Sequence, residues 1–166
     1  EENGLEIFKI EENNINGGSY RIFCRKFKKG SIKLKKENVL SNIIKFKKRI
    51  DKNKSLTMKF INKEVKKGKK IFLYGASTKG NTVLQYYKLD KNKIPFAAER
   101  SKAKWGKYTI GTGIKIISEA EARRKNPDYF FVTPWGFIKE FLKRERNWTK
   151  KGGKFILPFP LFKLIS

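Results

Sequence analysis

The chain has 166 residues, with 41 Lys and Arg against 15 Asp and Glu, a formal charge of +26, one Cys and no His. Without histidine there is no imidazole general base, no Ser-His-Asp or Cys-His arrangement and no His-containing metal site, so proton transfer would fall to Lys, Tyr or a carboxylate. The single Cys24 permits neither an internal disulfide nor a zinc cluster, suits a reducing compartment, and in an apolar strand is expected to serve packing.

The length suits one domain, or one plus a fragment of another. The longest apolar run, Phe155 to Phe162, carries Pro158 and Pro160 and falls far short of the ~20 residues that span a bilayer. A soluble, cytoplasmic protein without membrane contact is therefore expected. The chain opens Glu1-Glu2-Asn3, with no basic-then-apolar leader, so no targeting segment is expected. A start without Met suggests a fragment or a processed chain.

Taken in order, Leu5 to Ile10 and Tyr20 to Phe27 alternate apolar and polar residues around the turn-rich Asn13–Ser19, which predicts an antiparallel hairpin. From Lys35 to Lys67, Val39, Ile43, Phe46 and Ile50, then Met58, Ile61 and Val65, recur at helical spacing among lysines. This predicts a basic amphipathic helix, broken near Asp51-Lys52-Asn53, whose apolar stripe packs on a core. The rest alternates between two periods: strands at Ile71 to Tyr74, Ile94 to Glu99, Asp128 to Thr133 and Lys154 to Pro158, and helices at Lys79 to Leu89, Ser118 to Lys125 and Phe137 to Trp148. Such alternation predicts an α/β domain of the Rossmann-like, three-layer kind with a mainly parallel sheet and right-handed crossovers. Phe159 to Ser166 reads as an apolar tail. The predicted units are a hairpin at 1–30, a linking helical region at 31–68 and the α/β domain at 69–166.

In such a sheet ligands bind at the carboxyl ends of the strands. The first turn there reads Tyr74-Gly75-Ala76-Ser77-Thr78-Lys79-Gly80-Asn81-Thr82. Gly75 and Gly80 allow a sharp turn and a close ligand, and the helix that follows presents unpaired N–H groups to an anion. Gly75, Ser77, Lys79, Gly80 and Asn81 are thus candidate phosphate-binding residues. The turn is not a GxGxxG, and Asn81 stands where an ATP-hydrolysing loop needs Lys. Glu99 ends the next strand 24 residues after Gly75, near the place where an acid meets a ribose hydroxyl. Beyond it Arg100 to Gly113 combines cations, aromatics and glycines, a composition in which Lys and Arg meet phosphate and Trp105 or Tyr108 stacks on a base. The same residues also read as an exposed connection. Trp135, after the third strand, is a pocket wall or a core anchor; with Glu99 and Arg100 it completes the candidate pocket.

The charge attracts polyanions, whether RNA, DNA, an anionic membrane surface or a phosphorylated metabolite, and its sign does not choose among them. The lysines run through nearly every segment, with no nucleic-acid-binding signature to localise them.

Several collinear motifs resemble one family. Asn16-Gly17-Gly18-Ser19-Tyr20-Arg21, the Gly75–Thr82 turn, Ala97-Ala98-Glu99-Arg100, Trp105 to Ile114, Lys125-Asn126-Pro127-Asp128-Tyr129, Thr133-Pro134-Trp135 and Gly152-Gly153-Lys154-Phe155-Ile156 are similar to the C-terminal part of S-adenosylmethionine-dependent C-methyltransferases of nucleotide-linked deoxysugars. The likeness covers residues 5–27 and 69–165. It implies a nucleotide-sugar-binding domain preceded by the last hairpin of an S-adenosylmethionine domain. S-adenosylmethionine, the zinc cluster and the catalytic Tyr/Glu/His motif of that family would belong outside these residues, so no catalytic residue, resident cofactor or metal is expected here. A nucleotide diphosphate-sugar is the implied ligand, and an S-adenosylmethionine-domain polypeptide or a second copy the implied partner. The family usually has His ahead of Gly-Gly-Ser, where this chain has Asn16, and Asp where it has Glu99. Two other readings are an RNA-binding basic protein and a fragment of a dinucleotide-binding oxidoreductase.

Overall fold

The computed structural model describes residues 3–15, 19–28 and 39–166, with the side chains of the long helix described from Ile44 onward. The Asn16-Gly17-Gly18 motif, the start of the predicted helix at 35–38 and the side chains of Val39 and Ile43 lie outside the described residues. Two compact units are present, residues 1–44 and 45–166.

The first unit holds an antiparallel pair, β1 (Leu5–Asn13) and β2 (Ser19–Lys26), with a register shift between Ile7 and Lys9. Leu5, Ile7, Phe8, Ile10, Tyr20 and Ile22 are all exposed. The Glu6 carboxylate is buried and accepts from Arg25 Nε at 2.5 Å. Cys24 is exposed, which corrects the expectation that it packs, because a two-stranded ribbon has no inner face to bury it.

The long helix α1 (Val39–Lys66) runs unbroken through Asp51-Lys52-Asn53. The expected break is absent because Asn53 turns inward. It is 3% exposed and its amide donates to the Pro160 carbonyl at 2.8 Å. The buried stripe within the second unit is Asn53, Thr57, Ile61 and Glu64, with Phe46 exposed, so polar residues take positions that periodicity alone assigns to apolar ones.

The sheet of the second unit has six strands in the order β5-β4-β3-β6-β7-β8, parallel except for the last. They are β3 (Ile71–Tyr74), β4 (Phe96–Glu99), β5 (Lys115–Ser118), β6 (Tyr129–Val132), β7 (Lys154–Leu157) and β8 (Lys163–Ile165). Helices α2 (Thr78–Tyr87), α3 (Glu119–Arg124), α4 (Ile138–Arg144) and α5 (Arg146–Lys150) connect them. The expected mixed α/β unit with a mainly parallel sheet is therefore present. Alternate strand residues feed two cores. Ile71, Leu73, Ala97, Ile116, Phe131 and Ile156 pack with Ile61 of α1 and Leu84 and Tyr87 of α2. Phe72, Tyr74, Ala98, Ile117, Phe130 and Phe155 pack with Ala122 of α3, Phe141 of α4 and Trp148 of α5. Strands covered on both faces need unbroken apolar runs, which is why Ile71–Tyr74 and Tyr129–Val132 read so.

Two strands were not anticipated: β5, four residues in the shadow of a glycine-rich loop, and β8, three residues of the presumed tail. The single helix expected from Phe137 to Trp148 is two helices with a 3-10 turn at Trp135–Phe137 before them. The break falls at Glu145, which is 2% exposed. Its carboxylate accepts from the Tyr74 hydroxyl at 2.7 Å and from Arg123 Nε and Nη2 at 2.8 and 2.5 Å. Burial and the adjacent Glu145 carboxylate raise the Tyr74 hydroxyl far above its ordinary pKa, fixing it as a donor. Arg123 also reaches Glu119, which accepts from Arg144 at 2.7 Å, so one ion network ties α3 and α4 to β3.

A Cβ added at Gly153 would lie 2.2 to 2.6 Å from the Trp148 indole, whereas one added at Gly136 meets nothing within 4 Å. Overpacking of this kind costs about 1–3 kcal/mol. Gly153→Ala is therefore expected to lower the urea midpoint by that equivalent while Gly136→Ala leaves it within about 0.5 kcal/mol. Equal effects of the two changes would show that the indole yields.

Candidate functional site at the carboxyl edge

The strand order turns back between β3 and β6, and the turn after β3 meets the end of β6 there. Gly75 follows β3 with φ +85°, a conformation that favours glycine, and its N–H donates to the Ala98 carbonyl of β4 at 2.8 Å. A Cβ at Gly75 would lie 3.1 Å from Pro134. Gly80 presses harder, since its Cβ would lie 2.4 Å from Thr133 Oγ1. The first turn of α2 thus starts directly against the residues that follow β6.

Ser77 caps α2: its backbone is extended and its hydroxyl accepts from the Gly80 N–H at 3.0 Å. The positive end of the α2 dipole lies at the same place. Lys79 is exposed on this turn and Asn81 is half-buried one residue past Gly80. All five expected phosphate-binding residues thus belong to one turn.

Glu99 ends β4, but both of its carboxylate oxygens are engaged by protein. Oε1 accepts from the Ser101 N–H at 3.0 Å, and Oε2 accepts from the Ala76 N–H at 3.0 Å and faces Lys104 Nζ at 3.4 Å. Lys104 also donates to the Ala76 carbonyl at 2.9 Å. The pair Glu99–Lys104 therefore brackets the residue that precedes the helix cap, holding its donor and its acceptor together. Burial pushes the Glu99 carboxyl upward, but the two backbone N–H groups and Lys104 outweigh it and hold the group below its ordinary value.

The segment after Glu99 is built rather than loose. A 3-10 turn covers Lys102–Lys104, the Trp105 Nε1–H donates to the Glu99 carbonyl at 2.8 Å, and Gly106 N–H donates to Ile116 of β5 at 2.9 Å. Tyr108 bridges to Lys115. Arg100 is exposed and pairs with Glu140 at 3.5 Å. Trp135 is half-buried and packs its ring 5.5 Å from Phe159. The structure thus gathers the glycine turn, Glu99 and Trp105 at one edge, and sets Trp135 against the chain end. Lys104 was passed over in the sequence because nothing in a lysine-rich stretch separates a tethered ammonium from its solvated neighbours.

Among the described residues no group of three or more His, Cys, Asp or Glu is placed to hold a metal ion. No helix of the described residues is long and apolar enough to cross a membrane.

Residues 14–160 match a family model described as the C-methyltransferase C-terminal domain. The C-methyltransferase NovU of Streptomyces niveus is 34% identical over 99 residues, which is 60% of this chain and 24% of that protein. The aligned stretch thus spans about a quarter of the relative's length.

Because the Ala76, Ser101 and Lys104 donors favour the ionised Glu99 carboxylate, their charge-dependent contribution is complete above the ordinary glutamate pKa of 4.5 and is lost as pH falls through the depressed folded value. Glu99→Gln is accordingly expected to lower the urea midpoint at pH 7, with the gap to the parent narrowing steadily below about pH 4.5. A gap that stays constant down to pH 3 would show that the carboxylate charge is not what holds Ala76 and Ser101.

Proposed function

The chain belongs to the family of C-methyltransferase C-terminal domains, and from that premise we propose that it is the nucleotide-sugar-binding part of an S-adenosylmethionine-dependent sugar C-methyltransferase. The observation that carries this reading is the glycine turn Gly75–Asn81, which opens α2 toward an anion at the point where the strand order turns back. Diphosphate oxygens would lie against the first turn of α2, with Lys79 supplying charge and Ser77 and Asn81 flanking them. Arg100 and Trp135 would border the remainder of the ligand, and Glu99 would shape the turn from behind. The strand order supports reading the unit as Rossmann-like.

The state of Glu99 weighs against S-adenosylmethionine at this turn. The carboxylate that would receive ribose hydroxyls is occupied by Ala76, Ser101 and Lys104. The methyl donor is accordingly assigned to a site outside these residues, and methyl transfer by them alone is not expected. The same observation weighs against a dinucleotide-dependent oxidoreductase. The exposed apolar residues of β1 and β2 support a hairpin that completes another sheet, because a lone two-stranded ribbon is marginal in water. Its partner would be an S-adenosylmethionine-domain polypeptide or a second copy. With one Cys, the chain suits the cytoplasm.

Calorimetric titration with a thymidine diphosphate-sugar, with S-adenosylmethionine and with an RNA oligomer, each at about 0.15 and 0.5 M salt, tests the reading. Sugar-nucleotide affinity is expected to survive the added salt and to fall roughly tenfold or more in Lys79→Ala, with no S-adenosylmethionine binding. Affinity for RNA that collapses with salt, without sugar-nucleotide binding, would replace this function with general polyanion binding.

A further inference from the structure

We propose that Lys104 and Trp105 form the nucleotide end of the ligand site, Lys104 meeting the diphosphate and the Trp105 ring carrying the base, with Glu99 holding both in place. The inference rests on the nucleotide-sugar reading and names the residues that recognise the nucleoside diphosphate, choosing Trp105 over Tyr108 for the base and one lysine of the loop for the diphosphate.

Three observations carry it. The first is the position of Lys104. Its ammonium lies 2.9 Å from the carbonyl of Ala76, the residue just before the Ser77 cap, and 3.4 Å from Glu99. An ammonium has three protons. Two of them point to these acceptors, and the side chain is 46% exposed, so the third is available to an anion at the start of α2. Most lysines here stand on flexible stems in solvent; this one is fixed beside the helix terminus before any ligand arrives. Preorganised charge of that kind costs little ordering on binding.

The second is the state of Trp105. An indole is ordinarily buried for its area, as Trp148 is, with its N–H on the Pro127 carbonyl. Trp105 has its N–H fixed on the Glu99 carbonyl at the end of β4 and yet remains 39% exposed. A ring whose orientation is set while much of its surface stays open suits stacking, which is tolerant of base identity and depends on a fixed π-face. Trp135, by contrast, leans on Phe159.

The third is that the segment bearing both residues is anchored at each end. Glu99 takes the Ser101 N–H at one end, and Gly106 and Lys107 exchange backbone bonds with Ile116 of β5 at the other. Gly106, at φ +79°, supplies the turn that this pairing needs. Residue 99 therefore sets three groups together, its carboxylate holding the glycine turn and the lysine and its backbone carbonyl the indole, and Glu99 acts as a positioning residue rather than a ligand contact.

The test uses the full chain with two probes, thymidine diphosphate and inorganic pyrophosphate, titrated by calorimetry at about 0.15 M salt. Loss of one stacking platform corresponds to roughly a 5- to 100-fold rise in Kd. Trp105→Ala is expected to produce that rise for thymidine diphosphate and to leave pyrophosphate within about twofold, and Trp105→Phe to restore most of the loss. Lys104→Ala is expected to weaken both probes roughly tenfold, and Lys150→Ala, an exposed lysine in the last turn of α5, neither. Thymidine diphosphate should also quench tryptophan emission in the parent chain, and that quench should be lost in Trp105→Phe, which keeps the stacking ring but removes the exposed indole. The proposal is overturned if Trp105→Ala leaves thymidine diphosphate affinity unchanged, or weakens pyrophosphate equally, the mark of a purely structural role. A parent chain that binds neither probe overturns the nucleotide-sugar reading along with it, which separates the two failures.

Discussion

How closely the β3–α2 turn approaches the end of β6 governs the whole carboxyl edge. Two atoms enforce it: Thr133 Oγ1 fills the space a Gly80 side chain would need, and Pro134 stands against Gly75. With no Cβ at either glycine, the first turn of α2 settles onto the residues after β6, and the helix N-terminus comes to the edge where strand order turns back. A larger residue at 80 would lift the helix start off the sheet and carry Ser77, Lys79 and Asn81 with it. The site's geometry is thus a packing property of the parallel sheet before it is a property of any charged group.

Below this edge the sheet is held by aromatic packing and one ion network. Tyr74 makes edge contacts with Phe130, Phe141 and Phe155 while its hydroxyl reaches Glu145. The same residue that ends in the glycine turn is therefore locked on one face by rings and by a buried carboxylate. Glu145 is satisfied by Tyr74 and by two Arg123 nitrogens, which is what makes its burial tolerable. Helix α4 stops where this carboxylate turns inward, so the break between α4 and α5 and the rigidity of β3 share one cause.

The legible parts of the sequence were those where a local pattern and the tertiary demand coincide. Ile71–Tyr74 and Tyr129–Val132 are apolar without interruption because both faces of the sheet are covered. The illegible parts depended on distant partners. Asn53 resembles a helix breaker until Pro160 accepts its amide from over a hundred residues away. Glu145 reads as a solvated helix residue until Tyr74 and Arg123 surround it. Lys115–Ser118 is too short to register until β4 pairs with it. At the site, spacing placed Glu99 at the right strand end and assigned it the ribose role. What it holds is decided by Ala76 and Lys104, and neither was distinguishable by residue type.

This bears on what the large positive charge contributes. Forty-one cationic side chains against fifteen acidic ones produce a field that draws any phosphate-bearing molecule inward and quickens its approach. Such a field is diffuse, screened by salt, and indifferent to the shape of what it attracts. Selection must come from groups fixed relative to one another. Among the lysines at the carboxyl edge, Lys104 has that property, because Glu99 and the Ala76 carbonyl set its place. On the proposed reading, the surplus charge and the tethered cation would act on different steps: the first on how often an anion arrives, the second on which anion stays.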